Sequence, residues 1–166
     1  MNIRPRTQLS FQWPDPPFNI VLVEPDIPQN TGNIARLCAA TGTVLNLIEP
    51  LGFQITDKLV KRAGLDYWDA VTVNRFPNLG TFQEKFPTVR EIFFSTNGVK
   101  NYTEANYQPG DCLIFGSESK GLPLELIEAH KENVYNIPIQ LDHVRSLNLA
   151  NCASIVLYEA LRQINA

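Results

Sequence analysis

Six short apolar runs, each four or five residues long and separated by helix-like segments, constrain this chain more than any other feature. They fall at residues 20–23, 44–48, 70–73, 91–95, 112–115 and 134–137. Strands apolar at consecutive positions must be covered on both faces. The intervening segments can supply that cover, with helices expected over residues 31–41, 58–63, 79–86, 124–130 and 147–164. Strands alternating with helices predict an α/β fold: a mainly parallel sheet with helices on both faces. Residues 18–166 then form a single domain. Residues 1–17 carry Pro5, Pro14, Pro16 and Pro17 and are expected to be an extended arm.

Local signals place the helix ends. Asn30 or Thr31 is expected to cap the first helix, and Gly42 to close it in a left-handed conformation. Pro123 suits the first turn of the fourth helix, and Ser146 is the natural cap of the last. In that last helix Leu149, Ala153, Val156, Ala160 and Ile164 form an apolar stripe at helical spacing. Asn148, Asn151, Ile155 and Tyr158 form a second stripe, which core packing explains poorly.

Composition excludes several classes. With 44% hydrophobic and 19% charged residues the chain can build a core. No apolar run reaches the roughly 18 residues of a membrane span, and no secretory signal is evident, so a cytoplasmic protein is expected. Cys38, Cys112 and Cys152 are odd in number and scattered, which suits reduced, packed thiols and gives no metal-ligand spacing. His130 and His143 add no such spacing; His130 ends a helix, where a cation suits the dipole. The net charge of -3 speaks weakly against nucleic acid, although it hides any local basic patch. One such patch is Lys58, Lys61 and Arg62, three cations on one helical face, to which Arg145 and the arm's Arg4 and Arg6 can add.

Three loops can carry chemistry, each following a predicted strand. The first is Glu24-Pro-Asp-Ile-Pro-Gln-Asn30-Thr-Gly32-Asn33-Ile-Ala-Arg36. The second is Phe115-Gly116-Ser-Glu118-Ser-Lys-Gly121-Leu-Pro123, which is neither a dinucleotide fingerprint nor a P-loop. The third runs from Ile137-Pro138 to Val144-Arg145-Ser146-Leu147-Asn148-Leu-Ala-Asn151. Ordinary turn and capping chemistry accounts for each alone. Together they put three loops at the C-terminal ends of strands, where open α/β sheets bind ligands.

Taken in order, these segments resemble the three motifs of the SPOUT superfamily of RNA methyltransferases, specifically its 2′-O-ribose branch. The likeness covers about residues 18–164, includes Arg62-Ala-Gly-Leu-Asp-Tyr67 and Val156-Leu-Tyr158-Glu-Ala, and is nearest to small bacterial enzymes acting on nucleotide 34 of leucine tRNAs. The resemblance implies a deep C-terminal trefoil knot, S-adenosylmethionine as methyl donor, no metal, a tRNA substrate and a homodimer. It implies Phe94, Gly116, Ile137 and Ser146 as cofactor-binding residues, and Asn30, Arg36, Glu118, Ser146 and Asn148 at or near the reacting groups. Tyr158 is a further candidate, for the site or for the dimer interface. One departure is the loop 137–145, about one residue longer than the family pattern.

A guanidinium is essentially always protonated, so Arg36 suits phosphate binding and oxyanion stabilisation better than proton abstraction. The competing readings are the same chemistry on another tRNA or rRNA ribose, a non-catalytic RNA-binding module, and a nucleotide-dependent oxidoreductase. The missing phosphate fingerprint argues against the last.

Overall fold

The computed structural model describes residues 7–56 and 68–166. Within them, strands β1 (Asn19–Val23), β2 (Val44–Ile48), β3 (Val73–Phe76), β4 (Glu91–Phe94), β5 (Lys100–Asn101), β6 (Cys112–Phe115) and β7 (Val134–Asn136) form one sheet. Their order is β3-β2-β1-β6-β4-β7-β5, and every pairing is parallel. Helices α1 (Pro28–Thr41), α2 (Leu79–Lys85), α3 (Leu124–Ala129) and α4 (Leu149–Ile164) cover it.

The period of two along each strand divides the core into two layers. Ile20 and Leu22 of β1, Leu45 and Leu47 of β2, and Leu113 and Phe115 of β6 pack beneath α1 and α4. Val21, Ile48, Phe93 and Ile114 face the other way, onto Phe82 of α2 and Ile127 of α3. Here the apolar runs find cover on both sides, as their composition requires. The predicted stripe of α4 is the packed face, with Leu149, Ala153, Val156 and Ala160 buried and α1 alongside. The second stripe faces solvent: Asn151 and Tyr158 are exposed.

Several boundaries differ from the sequence reading. Helix α1 begins at Pro28 with Ile27 in the capping position, so Asn30 and Thr31 lie inside it, buried. Proline needs no N–H partner and has its φ preset, which lets the helix start there. Gly42 does close α1, at φ 70°. Pro123 stands just before α3 rather than in its first turn. The cap of α4 is Asn148, not Ser146: its Oδ1 accepts from the N–H of Ala150 at 2.9 Å and of Asn151 at 3.3 Å. The third strand lies at 73–76 rather than 70–73, because Phe76 is the residue that reaches the aromatic cluster of Phe82 and Phe86. The helix expected over 58–63 lies outside the described residues.

Residues 7–17 contain no helix or strand. The arm is nonetheless anchored, since Gln12 N–H donates to Asn165 Oδ1 at 2.9 Å and Asn165 Nδ2 returns a bond to Gln12 O at 3.0 Å.

Candidate active site

Strands β1, β2 and β3 run outward in one direction, while β6, β4, β7 and β5 lie on the other side of β1. The reversal between β1 and β6 opens a crevice at the C-terminal ends of the strands, the usual ligand position of such sheets. A cavity of about 470 Å³ occupies this end, reached by all three loops singled out from the sequence.

Glu118 ties the first two loops together. Its Oε2 accepts from Asp26 N–H at 2.7 Å, and its Oε1 from Ile27 N–H at 3.2 Å and Asn30 Nδ2 at 3.0 Å. The carboxylate thus takes the place of a local cap at the start of α1, where negative charge suits the helix dipole. Asn30 Oδ1 then accepts from Asn148 Nδ2 at 2.9 Å, which joins the third loop. Amide orientation in this relay follows from its ends. Asn148 must present its oxygen to the N-terminus of α4, so its NH2 faces Asn30. Asn30 must answer with oxygen, so its own NH2 needs an acceptor, which Glu118 supplies.

A second clasp lies beside the first. Asp26 Oδ2 accepts from the Ser119 N–H at 3.1 Å and from the Ser119 hydroxyl. These bonds, the hydroxyl first, hold the Asp26 carboxyl below its ordinary value of 3.8. The sign follows: a lowered pKa means the contribution is fully present above that ordinary value and is lost as pH falls through the lowered one. The clasp therefore stays intact at neutral pH.

Gly116 is required by close backbone approach. A Cβ there would stand 2.1 Å from the Gly121 carbonyl carbon and 2.2 Å from Leu122 N. The loop folds on itself through Gly121 N–H to Ser117 O at 2.9 Å, and Gly121 takes φ 67°. Phe94 and Phe115 stack at 5.0 Å between centroids and form an apolar wall.

Of the residues expected at the site, Asn30, Phe94, Gly116, Glu118, Ile137, Arg145, Ser146 and Asn148 all line the crevice, those of the third loop largely exposed. Arg36 and Tyr158 are not part of that lining. Arg36 is exposed on α1, roughly 9 Å along the axis from Asn30. Tyr158 sits 52% exposed on α4, far along the helix from the crevice. Lys58, Lys61 and Arg62 lie outside the described residues.

The sequence reading missed a fourth loop, Ser95, Thr96 and Asn97, which also lines the crevice. Its signal was available: polar residues at the C-terminal end of a predicted strand, the position shared by the other three. Gly98 N–H donates to Ser95 O at 3.0 Å, and a Cβ on Gly98 would lie 2.6 Å from the Tyr135 carbonyl carbon. Cys152 lines the crevice as well, with its thiol pKa pushed up by burial. All three cysteines are free, and no cluster of metal ligands occurs among the described residues. Nor is any described helix long and apolar enough to cross a membrane.

The family model of the SpoU rRNA methylases matches residues 17–158. The chain belongs to the SpoU rRNA methylase family. Within it the chain is similar to the tRNA (cytidine(34)-2'-O)-methyltransferase of Escherichia coli K12, 46% identical over 148 residues, 89% of this chain and 94% of that one. The enzyme of the same name from Saccharophagus degradans is 49% identical over 148 residues, covering 89% and 96%. Among solved structures, one concerned with 2-OH methylation of C/U34 on tRNA aligns with a TM-score of 0.83 at 43% identity, over 89% of this chain and 96% of that one. An AdoMet-bound rRNA methyltransferase from Sinorhizobium meliloti aligns with a TM-score of 0.77 at 26% identity, over 89% of this chain and 56% of that one. The α/β parallel fold expected from the sequence is the fold of these SpoU relatives.

Proposed function

We propose that this SpoU methylase transfers a methyl group from S-adenosylmethionine to the ribose 2′-hydroxyl of nucleotide 34, cytidine or uridine, of tRNA, with leucine tRNAs as substrates. The observation that carries the reading is the Glu118–Asn30–Asn148 relay, which draws three loops around one crevice. It stands in a chain whose relatives at 46–49% identity are named tRNA (cytidine(34)-2'-O)-methyltransferase, which supports the ribose of nucleotide 34 as the target.

The crevice fits the donor. Its volume of about 470 Å³ lies in the usual range for small-ligand sites. Phe94, Phe115 and Ile137 offer apolar surface for a purine, and the closely packed Gly116 loop brings backbone groups to the rim. Phe94, Gly116, Ile137 and Ser146 are the residues that would hold it. When bound, S-adenosylmethionine supplies an electrophilic methyl on a sulfonium, and no metal is needed.

The chain's own contribution is positioning and electrostatics. The relay fixes the N-terminus of α4 relative to α1, and with it the places of Ser146 and Asn148, which orient the attacking hydroxyl. Arg36, exposed on α1, meets the RNA rather than the donor. It binds a phosphate beside the target ribose and stabilises developing oxyanion charge. Arg145 at the rim, with Lys58, Lys61 and Arg62, adds phosphate contacts. The trefoil threading of the C-terminal segment belongs to the same reading. So does a homodimer, for which Ile155 and Tyr158 on the solvent side of α4 are the surface we assign.

The test is incubation with labelled S-adenosylmethionine and tRNA lacking the modification. Label recovered as a 2′-O-methyl nucleoside is expected; label on a base, or none, overturns the reading.

A further inference from the structure

The match to the SpoU family begins at residue 17, which leaves the N-terminal arm unassigned. The arm is held at a defined place. Gln12 exchanges two hydrogen bonds with Asn165, just beyond the end of α4. Pro16 packs so closely on Gly110 that a Cβ there would stand 2.9 Å from its Cγ. Pro14, Pro16 and Pro17 stiffen the span between the anchor and β1, so little conformational freedom remains to be lost on binding.

What this anchored segment presents is aromatic. Phe11 and Trp13 meet at 4.6 Å between centroids, yet remain 37% and 50% exposed. Large rings left in water on a fixed backbone are a stacking surface that nothing in the fold uses. The charge is also distinctive. Residues 1–14 contain Arg4 and Arg6 and no acidic residue, within a chain of net charge -3. Positive charge together with exposed aromatic rings is the combination that binds unpaired nucleotides, the rings taking bases and the cations taking phosphates.

We infer that the arm is a second RNA contact, in which unpaired bases of the substrate stack on Phe11 and Trp13 and the positive charge of the arm's sequence favours the phosphate backbone. It lies away from the crevice. Leu149 lines the crevice, the arm is tied down beyond the far end of α4, and that helix of 16 residues is roughly 24 Å long. The arm therefore grips RNA remote from the reacting ribose and contributes to affinity, not to the transfer step. This rests on the reading of the chain as an RNA methyltransferase.

The test compares wild type, the double variant Phe11→Ala/Trp13→Ala, Trp13→Phe, and the double variant Arg4→Ala/Arg6→Ala, all full-length. Binding is measured to tRNA and to a single-stranded RNA oligonucleotide across a salt series. The ring-deleted variant should bind both RNAs about 10-fold or more weakly, with Trp13→Phe retaining most of the affinity. The arginine variant should reduce the slope of log Kd against log salt by about 1.4. The kcat at saturating tRNA should stay at the wild-type value in all variants while KM for tRNA rises. Unchanged Kd and salt slope overturn the inference, as does a shift in oligomeric mass with RNA affinity intact, which would assign the arm to a second copy of the chain. Wild-type protein that binds no RNA overturns both this and the reading it rests on. Methyl transfer that proceeds with equal KM in every variant overturns the arm alone.

Discussion

Replacing Glu118 by Gln keeps the size of the side chain and removes its charge, which isolates what the relay requires. The carboxylate accepts three bonds: one on Oε2, from Asp26 N–H at 2.7 Å, and two on Oε1, from Ile27 N–H at 3.2 Å and Asn30 Nδ2 at 3.0 Å. A glutamine has one oxygen and one NH2, so neither orientation serves all three donors. With NH2 in the Oε2 place, the Asp26 N–H meets a donor. With NH2 in the Oε1 place, both Ile27 and Asn30 do. Asn30 cannot turn over to compensate, because its oxygen is needed by Asn148, and Asn148 is held by capping α4. The less costly orientation loses one charge-assisted bond and weakens two others, about 1.5–3 kcal/mol after allowing for water at partly exposed Asp26. For a chain of this length that corresponds to a melting temperature lower by roughly 4–10 °C. Thermal unfolding of wild type and Glu118→Gln, each with and without S-adenosylmethionine, measures it. Because the relay shapes the crevice, the stabilisation given by the ligand should also shrink. Equal melting temperatures and equal ligand shifts would refute the argument that Glu118 holds the three loops together.

Three further outcomes follow from the same geometry. Gly116→Ala places a methyl 2.1 Å from Gly121 backbone, so the loop must open; about 2 kcal/mol or more of stability and most S-adenosylmethionine binding should go, read by thermal shift and calorimetry. Arg36→Ala should lower methyl transfer by about 100-fold or more while ligand affinity is retained, and a loss of ligand affinity instead would move Arg36 to the donor side. Cys38 and Cys112 have thiol pKa values pushed up to about 12 by burial, so neither should react with a thiol reagent at pH 8 in the folded protein. Cys152, at the crevice, should be modified slowly and be protected by S-adenosylmethionine; modification of the other two first would contradict the packing.

The sheet was legible because β6 is apolar at every position and β1 at every position after Asn19, which few other structures tolerate. The last helix was legible for a similar reason, its Leu149–Ala153–Val156–Ala160 stripe being the packed face. Helix starts were less so. The start of α1 is satisfied by Glu118, some 90 residues away, and a cap delivered by tertiary contact leaves no local signal. Asn148 illustrates the converse: two asparagines on one face suggested a role, and the structure shows that one is the cap of α4 as well as a link in the relay. The two-residue strand β5 is too short to carry a pattern. The loop after β4 is short, and its polar residues Ser95, Thr96 and Asn97 read from sequence as an ordinary turn; only the fold brings them to the crevice. Spacing within motifs could suggest Asn30, Glu118 and Asn148 as residues of interest, but only the fold shows that they bond to one another in a chain.

The most direct test is the position of the methyl group. Unmodified leucine tRNA, reacted with the protein and S-adenosylmethionine, is digested and sequenced by mass spectrometry of the fragments. One added methyl on the ribose of nucleotide 34 is the predicted result. A methyl on any other nucleotide, or on the base of nucleotide 34, would contradict the account.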